Sequence, residues 1–263
     1  MTAALISYAH VSKRFGGGAA AMTAVDDVSL EVVTGEFLAV VGGSGSGKTT
    51  LLRLANRLID ADQGTITVEG EDVRALDPVI LRRRIGYVFQ SGGLFPHMSV
   101  GDNIGITPRL LGTPGGEIDA RVDELLALVR LDGGAYRNRL PHELSGGQRQ
   151  RVGVARALAA KPRIVLMDEP FGALDPLTRD ALGEDYRALH RKLALTTVMI
   201  THDMTEALLL ADRIAVMRAG KLLALGAPTE LSASREPYVA ELLRTPRRQA
   251  ERLNALLPGA GNP

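Results

Sequence analysis

Two segments near the N-terminus alternate apolar and polar residues. These segments are residues 4–11 and 28–33, and in the second of them Val28, Leu30 and Val32 share one face. Because successive side chains of a strand point to opposite faces, this pattern predicts two antiparallel strands, each with one buried face. The segment between them, Phe15 to Ala21, is rich in glycine and alanine and predicts a flexible loop whose one aromatic residue is Phe15.

Short apolar runs recur along the rest of the chain, bounded by turn or polar residues. Runs of this length predict strands that are buried on both faces, as in a parallel sheet. These runs are 37–41, 85–89, 164–167, 196–200 and 214–217, and a further strand is predicted at 64–70. Helices are predicted from near Lys48 and at 78–83, 118–129, 148–160, 177–193 and 205–210. Together these elements predict an α/β fold with a mostly parallel sheet and an antiparallel β subdomain.

The composition changes between about residues 91 and 145, where glycine and proline divide the chain into short segments. Within this stretch the helix at 118–129 is amphipathic, with apolar residues on one face. We therefore predict a helical subdomain, about 91–160, inserted into a core that spans 1–232. Residues 233–263 are mixed in charge and predict a C-terminal helical extension.

Length and composition exclude several classes of protein. The 263 residues suit one large domain or two small ones, and 45% hydrophobic and 23% charged residues are typical of a globular protein. A formal net charge of +1 provides no strong attraction to nucleic acids or anionic lipids. The chain has no cysteine, which excludes disulfides and thiolate metal sites. The N-terminus lacks the apolar core of a signal peptide, and no apolar run approaches the ~20 residues that span a bilayer. Work at a membrane would therefore require a membrane-spanning partner.

The strongest chemical signal is the stretch GGSGSGKTT, Gly42 to Thr50, directly after the apolar run 37–41. It contains the spacing G-x-x-x-x-G-K-T, in which glycines let backbone N–H groups surround phosphates and the following helix adds its positive N-terminal end. Lys48 can reach the β- and γ-phosphates, and the Thr49 hydroxyl can ligate Mg²⁺. A flexible Gly/Ser loop is the alternative, but the strand before it and the helix after it are the ones that the motif requires. The stretch therefore predicts a site for a nucleoside triphosphate.

Polar residues follow three other predicted buried strands. Gln90 follows 85–89, Asp168 and Glu169 follow 164–167, and His202 comes shortly after 196–200. If these strands share one parallel sheet with 37–41, their carboxyl ends bring all of these residues to the phosphate loop.

Their side chains suit transfer of a phosphoryl group to water. Asp168 can hold Mg²⁺, and Glu169 can orient or deprotonate the attacking water. Gln90 can contact that water or the metal, and His202 can contact the γ-phosphate. A lone Gln or His at a strand end is more often an ordinary surface residue, whereas two adjacent carboxylates beside a core strand require a reason.

A second glycine-rich segment, Ser145 to Gln148, begins the predicted helix at 148–160. Ser145 is a favourable N-cap, and Gly146 and Gly147 leave the first N–H groups of the helix uncovered. This end can bind phosphate, and one account is that it serves a nucleotide held by another subunit. The alternative is an ordinary helix start. Arginines on the same helix are read as neighbours of this cradle and as a solvated face, not as a nucleic-acid site; they are Arg149, Arg151 and Arg156.

Taken together, these motifs resemble the ATP-binding subunits of ABC transporters, from about residue 5 to 230. The loop at 42–50 resembles the Walker A motif, and IVLMDEP at 164–170 resembles Walker B with its catalytic glutamate, Glu169. LSGGQRQR at 144–151 resembles the family signature. Gln90 matches the Q-loop, Ala173 to Asp175 the D-loop, His202 the switch histidine, and Phe15 the aromatic residue that stacks on adenine.

The resemblance implies a phosphate-loop NTPase core that hydrolyses ATP to ADP and phosphate, with ATP and Mg²⁺ as cofactors. The residues implied at the nucleotide are Phe15, Gly42, Gly43, Ser44, Gly45, Ser46, Gly47, Lys48, Thr49 and Thr50, with Ser145, Gly146, Gly147 and Gln148 serving the nucleotide of a second subunit. Catalytic roles are implied for Glu169, His202 and Gln90, and metal contacts for Thr49, Gln90 and Asp168.

The family also implies partners. These are a head-to-tail ATPase dimer, expected to be a homodimer, integral membrane permease subunits and, through the permease, an extracytoplasmic solute-binding protein. No nucleic acid is expected. The implied location is peripheral, on the cytoplasmic face of the cell (inner) membrane.

The segment from Gln90 to Gly112 is most similar to ATPases of osmoprotectant importers, which take up glycine betaine, choline, carnitine or proline. The alternatives are an importer ATPase for another small solute, such as an amino acid or an anion, and a soluble ABC ATPase unrelated to transport. Many osmoprotectant ATPases carry regulatory CBS domains after the core. This chain ends at Pro263, so we expect no such domains.

Residues 91–112 also contain more apolar bulk than a solvated loop needs. We interpret this segment as the surface that receives the membrane partner, close to Gln90. The alternative is that its apolar side chains form the small core of the inserted subdomain. These side chains are Leu94, Phe95, Met98, Val100 and Ile104.

Overall fold

Two β-sheets form the framework of the structure, which is a computed structural model. It describes residues 4–16, 22–90 and 92–256, so most of the predicted loop (17–21), Ser91 and the end of the predicted C-terminal extension (257–263) lie outside the described residues. The strands are β1 (Ala4–Phe15), β2 (Met22–Val33), β3 (Phe37–Val41), β4 (Gln63–Val68), β5 (Glu71–Asp72), β6 (Ile85–Val88), β7 (Ile164–Asp168), β8 (Thr196–Thr201), β9 (Arg213–Arg218) and β10 (Lys221–Gly226). Within the described ranges they form a four-stranded sheet in the order β2-β1-β4-β5 and a six-stranded sheet in the order β10-β9-β3-β8-β7-β6.

The four-stranded sheet is antiparallel and confirms both predicted N-terminal strands. β1 pairs with β2 and with β4. β1 extends beyond the alternating segment 4–11 and ends at Phe15, which pairs with Met22. Phe15 therefore does not belong to the predicted loop. Polar contacts hold this end of the strand: Lys13 Nζ and the Arg14 N–H each donate to the Asp62 carboxylate at 2.7 Å. Hydrophobic alternation could not reveal an end that is held by a carboxylate.

The six-stranded sheet brings the five predicted buried strands together, as expected. β3 pairs in parallel with β8 and β9, and β7 joins β8 to β6, also in parallel. All residues of β3 and β7 are buried. Successive side chains of β3 enter two different cores, one on each face of the sheet. The carboxyl ends of β3, β6, β7 and β8 therefore open at one edge.

The helices cover both faces of this sheet. They are α1 (Lys48–Ala55), α2 (Pro78–Arg84), α3 (Val100–Leu110), α4 (Gly115–Leu128), α5 (Gly133–Tyr136), α6 (Gly146–Leu158), α7 (Pro176–Leu193), α8 (Met204–Leu210), α9 (Pro228–Ser232) and α10 (Pro237–Leu256). Every predicted helix is present, with ends shifted by a few residues. Side-chain caps that accept backbone N–H groups fix several of the starts; these caps are Asp77, Ser99, Ser145, Asp175 and Asp203.

The prediction missed several elements, among them α3 and β10. α3 lies within the predicted helical subdomain but was not predicted as a separate helix. Its glycines and Pro108 lower helix propensity, and burial of Val100 and Ile104 supplies the stability. β10 pairs antiparallel with β9 at the edge of the sheet, and most of its residues are only partly buried. The sequence prediction missed β10 although Leu222 to Leu225 form a continuous apolar run.

Helices α3, α4 and α6 pack on one another between β6 and β7 in the chain, and α6 also contacts β6. α10 packs against α8 and α9, and its residues Val239 and Leu243 join the core on that face of the sheet. The predicted division of the chain at residue 232 stays a prediction. In the part of the chain that the structure describes, no helix combines the length and apolar character needed to cross a bilayer.

Candidate functional site

The phosphate loop connects β3 to α1, and its lysine is folded over it. Lys48 Nζ donates to the carbonyl oxygens of Gly42 and Gly43, at 2.8 Å each. Burial lowers the pKa of Lys48, while the carboxylates of Glu169 and Asp168 act in the opposite direction. The ammonium group is thus held by neutral carbonyl oxygens at the loop, where an anion would add a favourable charge interaction.

Two glycines of the loop cannot be replaced without moving neighbouring backbone. A Cβ atom on Gly42 would lie 2.2 Å from the Met217 carbonyl oxygen, and one on Gly47 would lie 2.0 Å from the Ala24 carbonyl oxygen. Gly47 also has φ of +99°, which other residues rarely adopt. The loop therefore keeps its shape by close packing against the ends of two strands.

Asp168 and Thr49 are in direct contact next to the phosphate loop. Asp168 is the buried last residue of β7, and it accepts a hydrogen bond from Thr49 Oγ1 at 3.1 Å. Burial raises the pKa of Asp168, and the Thr49 hydrogen bond lowers it. A carboxylate and a hydroxyl side by side are hard oxygen donors of the kind that Mg²⁺ selects.

The residues that follow β6 and β8 contact Glu169, which follows β7. Its carboxylate accepts a hydrogen bond from Gln90 Nε2 at 3.0 Å, and His202 Nδ1 lies 3.4 Å from its other oxygen. Its backbone is left-handed, with φ of +48°, and its N–H donates to the Ile200 carbonyl at 3.0 Å. A non-glycine residue held in this conformation by its surroundings is typical of functional sites. The predicted convergence of the residues after β6, β7 and β8 is confirmed.

Gln150 belongs to this site, although the sequence analysis assigned it no role. Its Nε2 donates to the Glu169 carbonyl oxygen at 2.9 Å, and its side chain is almost fully buried. It thereby links α6 to Glu169. The signal was present in the sequence, because Gln150 shares an apolar helix face with Val154 and Ala157, where a polar side chain needs a partner.

The glycine-rich start of α6 forms the expected cap. Ser145 Oγ accepts the Gln148 N–H at 3.2 Å, and Gln148 Oε1 accepts the Ser145 N–H at 2.9 Å. Ser145 and Gly146 are exposed. Within the described ranges, no hydrogen bond or ion pair links 145–148 to the phosphate loop of the same chain. This helix start is therefore open to a ligand or partner from outside.

The interpretation of the arginines on α6 as a solvated face is wrong for Arg156. This residue is buried and donates to the carbonyl oxygens of Gly93 and Gly92, at 2.8 and 3.0 Å. Arg149 and Arg151 likewise donate to backbone carbonyls. Because α6 is surrounded by other parts of the chain on most of its faces, its arginines donate hydrogen bonds to backbone carbonyl groups that have no partner within a helix or a sheet.

Phe15 and the segment 92–112 lie at the margins of the site. Phe15 is 40% exposed at the end of β1, with Lys13 Nζ 5.6 Å from the centre of its ring. In the second segment, Val100 and Ile104 are fully buried, so the core interpretation is right for these two side chains. Phe95 is 44% exposed and borders a groove of about 400 Å³. The aromatic and larger aliphatic residues that also line this groove are Leu58, Ile85, Tyr87, Phe89, Ile106 and Leu110.

Known sequences resemble this chain over most of its length. The family model described as ABC transporter matches residues 25–172. The glycine betaine/carnitine/choline transport ATP-binding protein OpuCA of Bacillus subtilis (strain 168) is 50% identical over 227 residues, which are 86% of this chain and 59% of that protein. The glycine betaine uptake system ATP-binding protein YehX of Escherichia coli (strain K12) is 50% identical over 224 residues, 85% of this chain and 71% of YehX. The chain thus spans somewhat more than half the length of OpuCA.

Solved structures share the fold. The ATP-binding cassette MJ0796, in a dimeric post-hydrolysis state bound to ADP and Pi, matches with a TM-score of 0.78 and 31% identity. The match covers 84% of this chain and 98% of that chain. The predicted α/β fold class with a phosphate-loop core is therefore confirmed.

Proposed function

The chain belongs to the ABC transporter family, whose ATP-binding domain it carries, and we propose that it is the ATP-hydrolysing subunit of an importer for a small osmoprotectant such as glycine betaine, choline, carnitine or proline. Half of the aligned residues are identical to those of proteins that are named for transport of glycine betaine, carnitine and choline, and this similarity supports the class of solute. The ATPase works on the cytoplasmic face of the membrane, bound to permease subunits that receive solute from an extracytoplasmic binding protein.

The observation that carries the proposal is the environment of Glu169. Its carboxylate lies at the edge of the sheet beside the phosphate loop and touches Gln90 and His202. A carboxylate in this position can take a proton from a water molecule that attacks the γ-phosphate. Gln90 orients that water, and His202 binds charge that develops on the phosphate. Gln150 holds the backbone of Glu169 so that its side chain stays directed at the site.

The nucleotide is held by the loop from Gly42 to Thr50, and Phe15 stacks on its adenine ring. Lys48 supplies a positive charge to the β- and γ-phosphates. Thr49 and Asp168 fit a Mg²⁺ ion, with Gln90 as a further oxygen ligand, and the ion neutralises phosphate charge when it is bound. No group of three His, Asp or Glu residues that could hold a metal occurs in the described residues, which suits an ion that takes its remaining ligands from phosphate and water.

A second copy of the chain completes each ATP site. The exposed start of α6, Ser145 to Gln148, presents N–H groups and a positive helix end that its own phosphate loop does not use. In a head-to-tail homodimer this end contacts the nucleotide of the partner. ATP bound between the two copies then closes the dimer, and hydrolysis reopens it.

Ser145→Arg is expected to leave ATP binding by the single chain unchanged and to prevent ATP-driven dimerisation. The reason is that arginine places bulk at the helix start that must approach the partner's nucleotide. Sedimentation of this variant in a Glu169→Gln background with ATP measures the effect. Ser145→Ala is the control, because it removes the cap without adding bulk and costs roughly 1 kcal/mol of helix stability. A stable dimer of the arginine variant would contradict the composite site.

The groove beside Phe95 receives a short helix of the permease. Its exposed apolar side chains suit such a ligand. Arg156 connects the groove to α6, because it holds the carbonyl groups of Gly92 and Gly93 and its guanidinium lies 5.7 Å from the Phe95 ring centre. Gln90 lies close by in the chain, so movement at the γ-phosphate reaches the groove by a short path.

Phe95→Asp is expected to keep the fold and the basal ATPase activity of the free chain but to abolish co-purification with the permease and solute uptake. A charge in the groove must be desolvated when the permease helix binds. Leu209→Asp is the matched control, because Leu209 is 68% exposed on α8, outside the groove. Normal assembly of the Phe95 variant would contradict docking at this groove. Unfolding of the variant would favour a core role for Phe95.

The class of solute is tested with the complex that this chain forms in its native membranes. ATPase activity of the purified, reconstituted complex is measured against glycine betaine, choline, carnitine and proline, with amino acids and inorganic anions as comparison. Stimulation by an osmoprotectant is the expected result. Stimulation by another solute favours the alternative importer, and recovery of the chain without any membrane subunit favours an ABC ATPase outside transport.

A further inference from the structure

The C-terminal helix touches the phosphate loop through one side chain. The Gly43 N–H donates to the Tyr238 hydroxyl oxygen at 3.0 Å, and this hydrogen bond joins two residues that lie 195 positions apart in the chain. Tyr238 lies in the first turn of α10, in the predicted C-terminal extension, to which the proposed function gives no role. The contact is therefore a direct link between that extension and the loop that holds phosphate.

Tyr238 is fixed at several points. The Arg218 guanidinium lies 4.8 Å from the centre of its ring. The ring packs against the core, and the next residue, Val239, is fully buried. Leu243, one turn further along, is buried in the same core. The hydroxyl group is thus presented to the loop by a side chain with little freedom of its own.

The end of β9 supports both partners of this contact. The Met217 carbonyl packs closely against Gly42, and the next residue, Arg218, covers Tyr238. Just beyond, the Gly220 N–H donates to the Ser46 carbonyl at 3.1 Å. Tyr238 therefore belongs to a set of outer supports that surround the loop.

The peptide unit between Gly42 and Gly43 is held on both sides. Its N–H donates to Tyr238, and its carbonyl oxygen accepts from Lys48 Nζ at 2.8 Å. Because a trans peptide is planar and its N–H and C=O point in opposite directions, fixing the N–H also fixes the carbonyl. Without Tyr238 this peptide, flanked by two glycines, could rotate and move the oxygen to which Lys48 is attached.

We infer that Tyr238 is a positioning residue, which pre-orients the phosphate loop and Lys48 for the triphosphate through the Gly42–Gly43 peptide. A loop that is already ordered loses less conformational entropy when it binds, so affinity increases. By reciprocity, a bound triphosphate strengthens the contact and holds the start of α10 more firmly. The inference rests on the proposed function only in that the loop binds a nucleotide.

The test is Tyr238→Phe, which removes the hydroxyl and keeps the ring beneath Arg218. We expect the dissociation constants of ATP and of inorganic pyrophosphate, measured by calorimetry, to rise roughly three- to tenfold, the effect of one lost hydrogen bond. The KM for ATP is expected to rise by a similar factor while kcat is unchanged, because the side chain acts on binding of the phosphates. Tyr186→Phe is the matched control: it removes a buried hydroxyl that bonds Thr197 at 2.8 Å, at the opposite end of the sheet. It should lower stability and leave both affinities unchanged.

Hydrogen exchange provides a second readout that general loss of stability does not imitate. ATP is expected to slow exchange of the amides at 238–243 in the wild-type chain and not in Tyr238→Phe. Unchanged or tighter binding by Tyr238→Phe, or equal effects in Tyr186→Phe, would overturn the inference. A wild-type chain that binds no nucleotide would instead refute the proposed function, so the two failures are distinguishable.

Discussion

Glu169→Gln is expected to bind ATP normally and to hydrolyse it roughly 10²–10⁴-fold more slowly, the range for loss of a general base. Glutamine has the same size and can still accept the hydrogen bond that Gln90 donates at 3.0 Å. The Gln150 bond to the backbone carbonyl is also unaffected, because it does not involve the side chain. The variant thus loses basicity and keeps geometry, so binding and hydrolysis should separate.

Single-turnover hydrolysis and calorimetry of ATP binding measure the two effects. Glu184→Gln is the control, because it removes an exposed carboxylate on α7 and should change neither. The bound ATP should persist in Glu169→Gln and hold a closed dimer. Turnover near the wild-type rate would show that another group takes the proton, and His202, whose Nδ1 lies 3.4 Å from the Glu169 carboxylate, would be the next candidate.

The parts of the fold and site that the sequence revealed are those with local causes. The buried strand 37–41, the glycines after it and the helix from Lys48 are consecutive in the chain, and each has its own pattern. The same holds for Asp168, which directly follows the apolar run 164–167. Because the carboxyl ends of parallel strands lie at the same edge of a sheet, the polar residues that follow these strands come together once the strands share one sheet.

The parts that the sequence did not reveal depend on tertiary contacts. α3 contains residues of low helix propensity, and burial of Val100 and Ile104 against other helices overrides that preference. Arg156 resembles a surface residue in any pattern of charge, but its neighbours Gly92 and Gly93 fold back over α6 and take its hydrogen bonds. Such partners cannot be read from spacing along the helix.

The contact between Tyr238 and Gly43 is the extreme case. No periodicity connects residues that lie 195 positions apart. The contact exists because α10 packs onto α8 and α9, which in turn follow strands of the same sheet as the loop. A sequence can thus identify the group that binds phosphate without identifying the groups that hold it in place.

Lys48→Ala is expected to weaken ATP binding roughly 10²–10⁴-fold, because it removes charge-assisted hydrogen bonds to two phosphate groups, each worth about 1.5–3 kcal/mol. In the chain without nucleotide, Lys48 Nζ is satisfied by the Gly42 and Gly43 carbonyl oxygens at 2.8 Å, so the ammonium group is already in place beside the loop.

Calorimetry with ATP and with ADP measures this effect and its origin. The loss is expected to be larger for ATP, because a lysine that reaches the γ-phosphate makes one contact that ADP lacks. Lys48→Met keeps most of the side chain without the charge and should behave like the alanine variant, which separates loss of charge from loss of packing. Lys161→Ala, an exposed lysine in the turn before β7, is the control and should bind both nucleotides normally. Unchanged ATP affinity in Lys48→Ala would mean that the loop from Gly42 to Thr50 does not hold the triphosphate, whereas equal losses for ATP and ADP would place the Lys48 charge on the β-phosphate alone.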